Sequence, residues 1–231
     1  MESQRTFRFS QRIEFQRGSE TRMVIEATEG RIDRMIAAND QPLTPIREKQ
    51  EQERLSKFLL DKTTLEKEIS EQRVDDARRE LLIANLPNAF ILTFSCMDAG
   101  GRLKFSFSPN PRFYPKSRET QILTGMQGWL WIDPISERIA EIEGELFRDV
   151  NFGWGILGRL YKGGRFKVVQ SEISPGVWRI TTLNVDFTGK VMLFKSLRIF
   201  QKQTVTGFVA IPSGTNARRA VEELLSYRVS N

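Results

Sequence analysis

The sequence predicts a mainly β fold with helices: an antiparallel curved sheet carrying an inserted helical hairpin or arm and ending in a short C-terminal helix. Three observations predict it. Polar and apolar residues alternate strictly at the start of the chain, glycine turns punctuate residues 88–200, and a run rich in Glu, Lys, Gln and Arg without Gly or Pro fills 46–86. Period-two alternation marks a half-buried strand, and a long run of helix formers marks a helix. At 231 residues the chain reads as one domain, 1–231, with its helical insertion at about 45–84.

Phe7, Phe9, Ile13 and Phe15 point one way along the first strand, with Arg8, Ser10, Arg12, Glu14 and Gln16 on the other side. Arg17-Gly18-Ser19 turns this strand into a partner over 21–27, and a third run, 32–38, ends at Asn39-Asp40. At Gln41-Pro42-Leu43-Thr44-Pro45 the composition changes: Thr44 is placed to cap a helix and Pro45 to occupy its first turn. Thr63-Thr64-Leu65-Glu66 offers a capping box that restarts a second helix. The arm's apolar residues, Leu55, Phe58, Leu59, Leu65, Ile69, Ala77 and Leu81, form a narrow stripe, so it lies on another surface by one face.

Three hairpins follow: 90–96 with 102–108 around Asp98-Ala99-Gly100-Gly101, 157–161 with 165–169 around Lys162-Gly163-Gly164, and 177–187 with 191–200 around Thr188-Gly189. In the last strand Val191, Leu193, Leu197 and Ile199 occupy one face and Met192, Phe194 and Phe200 the other, the pattern of a sheet covered on both sides. The closing helix, 216–226, gathers Ala217, Ala220, Val221, Leu224 and Leu225 on one side.

Composition excludes several functions. The chain has no histidine, which removes His-based triads, most zinc sites and the commonest general base. No cofactor, metal or catalytic residue is expected, and the chain reads as a non-enzyme. Cys96 is the single cysteine, so no intrachain disulfide forms, and its mid-strand position predicts a buried thiol. The net charge of +6 arises from residues 81–231, which hold 19 basic and 12 acidic side chains; this excess is too diffuse for a nucleic-acid face. No stretch reaches the roughly 20 apolar residues that span a bilayer.

Gly153-Trp154-Gly155-Ile156-Leu157-Gly158 matches G-x-G-x-x-G, but a strand and a Gly-Gly turn follow it where a dinucleotide site needs a helix N-terminus. Glu141, Glu143 and Glu145 share one strand face; paired carboxylates serve glycosidases and calcium sites, and a solvated outer face explains them more simply. The aromatic set Phe105, Phe107, Trp129, Trp131, Phe152, Trp154, Trp178 and Phe194 is the candidate ligand-binding surface, as a cavity lining or as packed core.

The stretch Phe105-Ser106-Phe107-Ser108-Pro109-Asn110-Pro111-Arg112-Phe113, with Arg118-Glu119, Gly144-Glu145-Leu146 and Asp149-Val150-Asn151-Phe152-Gly153-Trp154-Gly155, resembles a group of exported bacterial proteins of uncharacterised function. Pro42-Leu43-Thr44 and the strand Leu103-Lys104-Phe105 are similar too. This group in turn resembles the lipoprotein-carrier (LolA/LolB-like) superfamily, mainly over the strands after Asn88. The resemblance implies an antiparallel half-barrel whose helices plug a hydrophobic concavity. It also implies a periplasmic or otherwise exported carrier or sensor, its leader absent from this chain, for a lipid, a lipoprotein acyl chain or another apolar ligand. The inserted arm departs from that pattern. It leaves open a protein-interaction or scaffold module that binds a partner or a second copy through 46–82, with the sheet concavity filled by its own core.

Overall fold

A computed structural model describes residues 5–152, 157–192 and 195–227, and it is mainly antiparallel β with helices. The residues cluster in two compact units, Met1–Ala77 with Gln203–Asn231 and Arg78–Lys202. Two elements, α2 (Lys62–Ala89) and β13 (Lys195–Ile211), contribute residues to both. Among the described residues, no helix is long and apolar enough to cross a membrane.

In the first unit, β1 (Thr6–Phe15), β2 (Gly18–Glu26), β3 (Arg31–Ala38) and β4 (Gln41–Pro42) follow one another as antiparallel neighbours, and β13 lies on the other side of β1. The alternation read in β1 holds in its first half, where Phe7 and Phe9 are buried and both rings meet Phe208, but Ile13 is half-buried and Phe15 at the strand's end is exposed. Asn39 and Asp40 both adopt left-handed backbone at the β3–β4 turn, which suits short polar side chains. Helix α1 (Pro45–Leu60) begins as the sequence indicates: Thr44 Oγ1 accepts from the Arg47 N–H at 3.4 Å, with Pro45 just inside the helix. Its Leu55 and Phe58 join Ile25, Ile32, Val221 and Leu224 in one core, so this part of the arm is structural.

Helix α2 starts earlier than expected and with a different cap. Asp61 ends α1 through its own N–H to the Lys57 carbonyl, and its carboxylate accepts from the Thr63 N–H at 3.0 Å and from the Thr64 hydroxyl. A carboxylate accepts from both groups at once, so Asp61 takes the role expected of Thr63. The apolar stripe holds as far as the buried Ile69, but Ala77 and Leu81 are exposed. Helix α4 (Ala217–Ser226) is capped by Asn216, whose Oδ1 accepts from the Arg219 N–H at 2.9 Å, and it buries Ala217, Ala220, Val221 and Leu224 as expected.

In the second unit β5 (Phe90–Met97), β6 (Leu103–Pro109), β7 (Met126–Asp133), β8 (Arg138–Leu146), β11 (Arg165–Ser174) and β12 (Val177–Val191) are antiparallel neighbours in that order. A short helix, α3 (Arg118–Gln121), precedes β7, and β9 (Val150–Phe152) and β10 (Gly158–Leu160) pair with each other. The first hairpin forms as read, its turn held by the Asp98 carboxylate, which accepts from the Gly100 and Arg102 N–H groups at 2.9 Å each.

The second hairpin does not form. The Gly163 N–H donates to the Leu146 carbonyl and the Leu146 N–H to the Gly164 carbonyl, both at 2.8 Å, so the Gly-Gly turn is tied to the end of β8. From there β11 runs along β8, while β10 pairs with the far end of β12. That pairing also carries β12 through Gly189, where a turn was expected. A Cβ on Gly189 would lie 2.2 Å from the Arg159 carbonyl oxygen, so the glycine permits close strand contact. The chain turns instead from Met192; Leu193 and Phe194 of the expected strand lie outside the described residues, as do Gly153, Trp154, Gly155 and Ile156 of the glycine motif. Cys96 is exposed, contrary to the expected buried thiol, because β5 ends the strand order and is covered weakly.

Candidate functional site

The register of the second unit's sheet sorts its side chains into two faces, since directly paired residues point the same way. On one face Phe105, Leu130, Ile142, Val168 and Leu183 form a cross-strand row, and Phe107, Gly128, Gly144, Phe166 and Val185 form the next. This is the core face, where Phe107 packs with Phe90, Leu123 and Leu130 and partly buried Leu82 and Leu86 of α2 cover it.

The opposite face is polar. Its rows are Lys104, Trp131, Glu141 and Val169; then Ser106, Trp129, Glu143, Lys167 and Asn184; then Gln127, Glu145, Arg165 and Asp186. Between the last two rows runs a groove of about 680 Å³, with the intervening Phe107–Gly128–Gly144–Phe166–Val185 row as its floor. Phe200 and Lys202 close it at the β13 end. Residues two apart along a strand are separated by about 7 Å, and six adjacent strands span about 24 Å. The groove therefore has the proportions of an extended chain.

Glycines in this row let β7 and β8 approach closely. A Cβ on Gly128 would lie 2.0 Å from the Glu143 carbonyl oxygen, and one on Gly144 would lie 2.2 Å from that of Gln127 and 3.1 Å from the Phe107 ring. No side chain fits at either position.

Charge alternates from strand to strand across the walls: Glu143 and Glu145 on β8, Arg165 and Lys167 on β11, Asp186 on β12, Lys202 on β13. Lys167 Nζ donates to Glu141 at 2.5 Å and to Glu143 at 3.1 Å. The hydrogen bond to Glu141, with help from Glu143, raises the Lys167 pKa against a smaller opposing effect of burial, so the ammonium stays charged at neutral pH. Arg102 adds a contact to Glu141 at 3.5 Å. Glu141 is therefore enclosed between two cations, with its side chain 14% exposed, and departs from the solvated face expected of it, whereas Glu143 and Glu145 on the same face keep partial exposure.

The expected aromatic set is divided by this geometry. Trp129 and Trp131 share the polar face, with Lys104 Nζ 4.2 Å and 4.8 Å from their ring centroids. Trp129 is 38% exposed and lines the groove, whereas Trp131 is buried. Phe105 and Phe107 belong to the core face, and Phe107 also contributes to the groove floor. Phe152 packs against the separate cluster of Leu146, Val150, Leu160 and Phe187. Trp178 sits opposite Glu172, near the start of β12, with its Nε1 buried and without a partner among the described residues. Trp154 and Phe194 lie outside the described residues.

The groove's polar wall residues Arg165, Lys167, Asn184, Asp186 and Gln127 were not among the expected site residues. Their signal was present as period-two polarity at 165/167 and 184/186, but only the register places them beside Trp129. The chain matches no family model, no curated protein and no solved structure.

Proposed function

We propose that the chain is a non-catalytic binding protein whose groove takes an elongated amphipathic ligand. The single observation that carries this is the narrow groove crossing the sheet between two rows of alternating charge, with exposed Trp129 at one end and Phe200 at the other. An unbroken acyl chain laid along those rows would strip water from Glu143, Glu145, Arg165 and Lys167 without replacing it. A ligand with an apolar segment and a zwitterionic head avoids that cost, placing its apolar part on the indole and its charges against the walls. This narrows the carrier reading from an apolar ligand to an amphiphile. The resemblance to exported bacterial proteins, which in turn resemble the lipoprotein carriers in strand pattern and aromatic content, supports the same reading, because Phe105–Pro109 and Gly144–Leu146 of its motifs fall on β6 and β8, two strands that build the groove.

The test is calorimetric titration with a zwitterionic single-chain lysolipid below its micellar concentration, alongside native mass spectrometry of the purified chain for co-purified lipid. Binding is expected, and Trp129→Ala should weaken it at least about tenfold, or about 1.4 kcal/mol, through lost apolar contact. No heat of binding together with no co-purified mass would overturn the proposal.

A further inference from the structure

The sheet's β5 edge carries an inference independent of the groove. Among the described residues no strand pairs with the outer side of β5. Edge strands usually carry charges, prolines or short lengths that discourage pairing. The first unit's edge strand, β4, obeys this, being two residues long and including Pro42. β5 does not: its eight residues, Phe-Ile-Leu-Thr-Phe-Ser-Cys-Met, contain no charge, no glycine and no proline.

The hydrogen-bond phase shows what the open edge presents. The Asn110 N–H donates to the Ala89 carbonyl at 2.8 Å, which makes that pair a bonded one, and the next pair, Phe90 with Pro109, has no N–H on its proline side. Antiparallel pairs alternate, so Ile91 and Thr93 bond inward to β6 while the N–H and C=O groups of Leu92 and Phe94 point outward. The apolar layer also runs off this edge: Ile91, Leu92, Phe94 and Met97 are 50%, 45%, 58% and 61% exposed.

We propose that two copies of the chain pair through β5, antiparallel and about a two-fold axis, joining the two sheets edge to edge. The strand is its own complement. Because it is uncharged, self-pairing brings no like charges opposite one another, and the apolar face of Phe90, Leu92 and Phe94 meets its own kind.

Sedimentation of the full chain over a dilution series tests this. A species of twice the 26.7 kDa chain mass is expected. Ile91→Lys should raise the dimer Kd at least about tenfold by placing a charged side chain on the pairing edge of each copy, with an unchanged circular dichroism spectrum. Ile135→Lys, at a 93% exposed position in the β7–β8 turn, should leave the dimer intact. A spin label on Cys96, the chain's single cysteine, should report an intermolecular distance within about 40 Å for any register centred on β5. That measurement decides the matter if Ile91→Lys fails to fold. A monomer at every concentration, a dimer indifferent to Ile91→Lys, or a dimer without that distance would overturn the proposal.

Discussion

Arg34 lies 4% exposed on β3, at the inward parity shared with Ile32 and Ile36, and donates from one guanidinium nitrogen to the Leu224 and Tyr227 carbonyls at 2.7 and 2.8 Å. Those are C-terminal carbonyls of α4, which have no partner inside the helix, so a side chain from β3 closes the helix end. Its second terminal nitrogen reaches Glu48 on α1 at 3.2 Å. Arg34→Ala should destabilise the first unit by about 1.5–3 kcal/mol in urea unfolding, the range for hydrogen bonds to a charged group, and Arg34→Lys should restore little because an ammonium lacks the planar fork. Gly128 makes a different demand: with Glu143 backbone 2.0 Å from the position of a Cβ, Gly128→Ala must push β7 from β8. Its expected cost is at least about 1–3 kcal/mol, with the groove floor disturbed in parallel, readable as a lower midpoint and a changed Trp129 emission. The sequence shows an arginine and a glycine at these positions, but what each touches comes from strands or helices far along the chain.

Whole elements follow the same division between local and distant causes. The Thr44-Pro45 start of α1 and the Asp98–Gly101 turn were legible because each is fixed by side chains within a few residues, and the Asn39-Asp40 turn because both residues tolerate left-handed backbone. The β10 pairings were not, because Gly158–Leu160 are claimed by β9 and by the far end of β12 and not by the strand just after them. Helix α1 is fastened to β3 by Glu51, which accepts from the Met35 N–H at 2.8 Å and pairs with Arg54 at 2.7 Å. Burial pushes the Glu51 pKa up, but the Arg54 hydrogen bond and the Met35 N–H together outweigh it and hold it below the ordinary 4.5. A carboxylate depressed in the folded state stabilises it above the unfolded pKa and loses that contribution as pH falls through the folded value. Stability measured by urea unfolding should therefore decline below about pH 4.5, and Glu51→Gln should flatten that decline while lowering stability at neutral pH.

At the scale of the molecule the β class, the inserted helices and the closing helix were legible, because periodicity reports which face of each element is buried. The candidate site was legible only in part: period two groups Phe105 with Phe107 and Trp129 with Trp131, but it cannot say that the two pairs lie on opposite faces, which depends on the register Ser106–Trp129 and Phe105–Leu130. The division into separate hydrophobic clusters, one in the first unit and others in the second, was also hidden, since hydrophobic residues in sequence carry no label for the cluster they join. Leu55, Ile25, Val221 and Leu224, drawn from α1, β2 and α4, belong to one. Phe90, Phe107, Leu123 and Leu130 belong to another, in the second unit. Leu55 is fully buried, so Leu55→Ala leaves a cavity at the centre of the first core and should cost about 2–5 kcal/mol. Because each core draws on its own residues, hydrogen exchange of this variant should show its largest loss of protection in β1–β3 and α4, with β6–β8 affected less. An equal loss across both sets would mean that the two cores open as a single cooperative block.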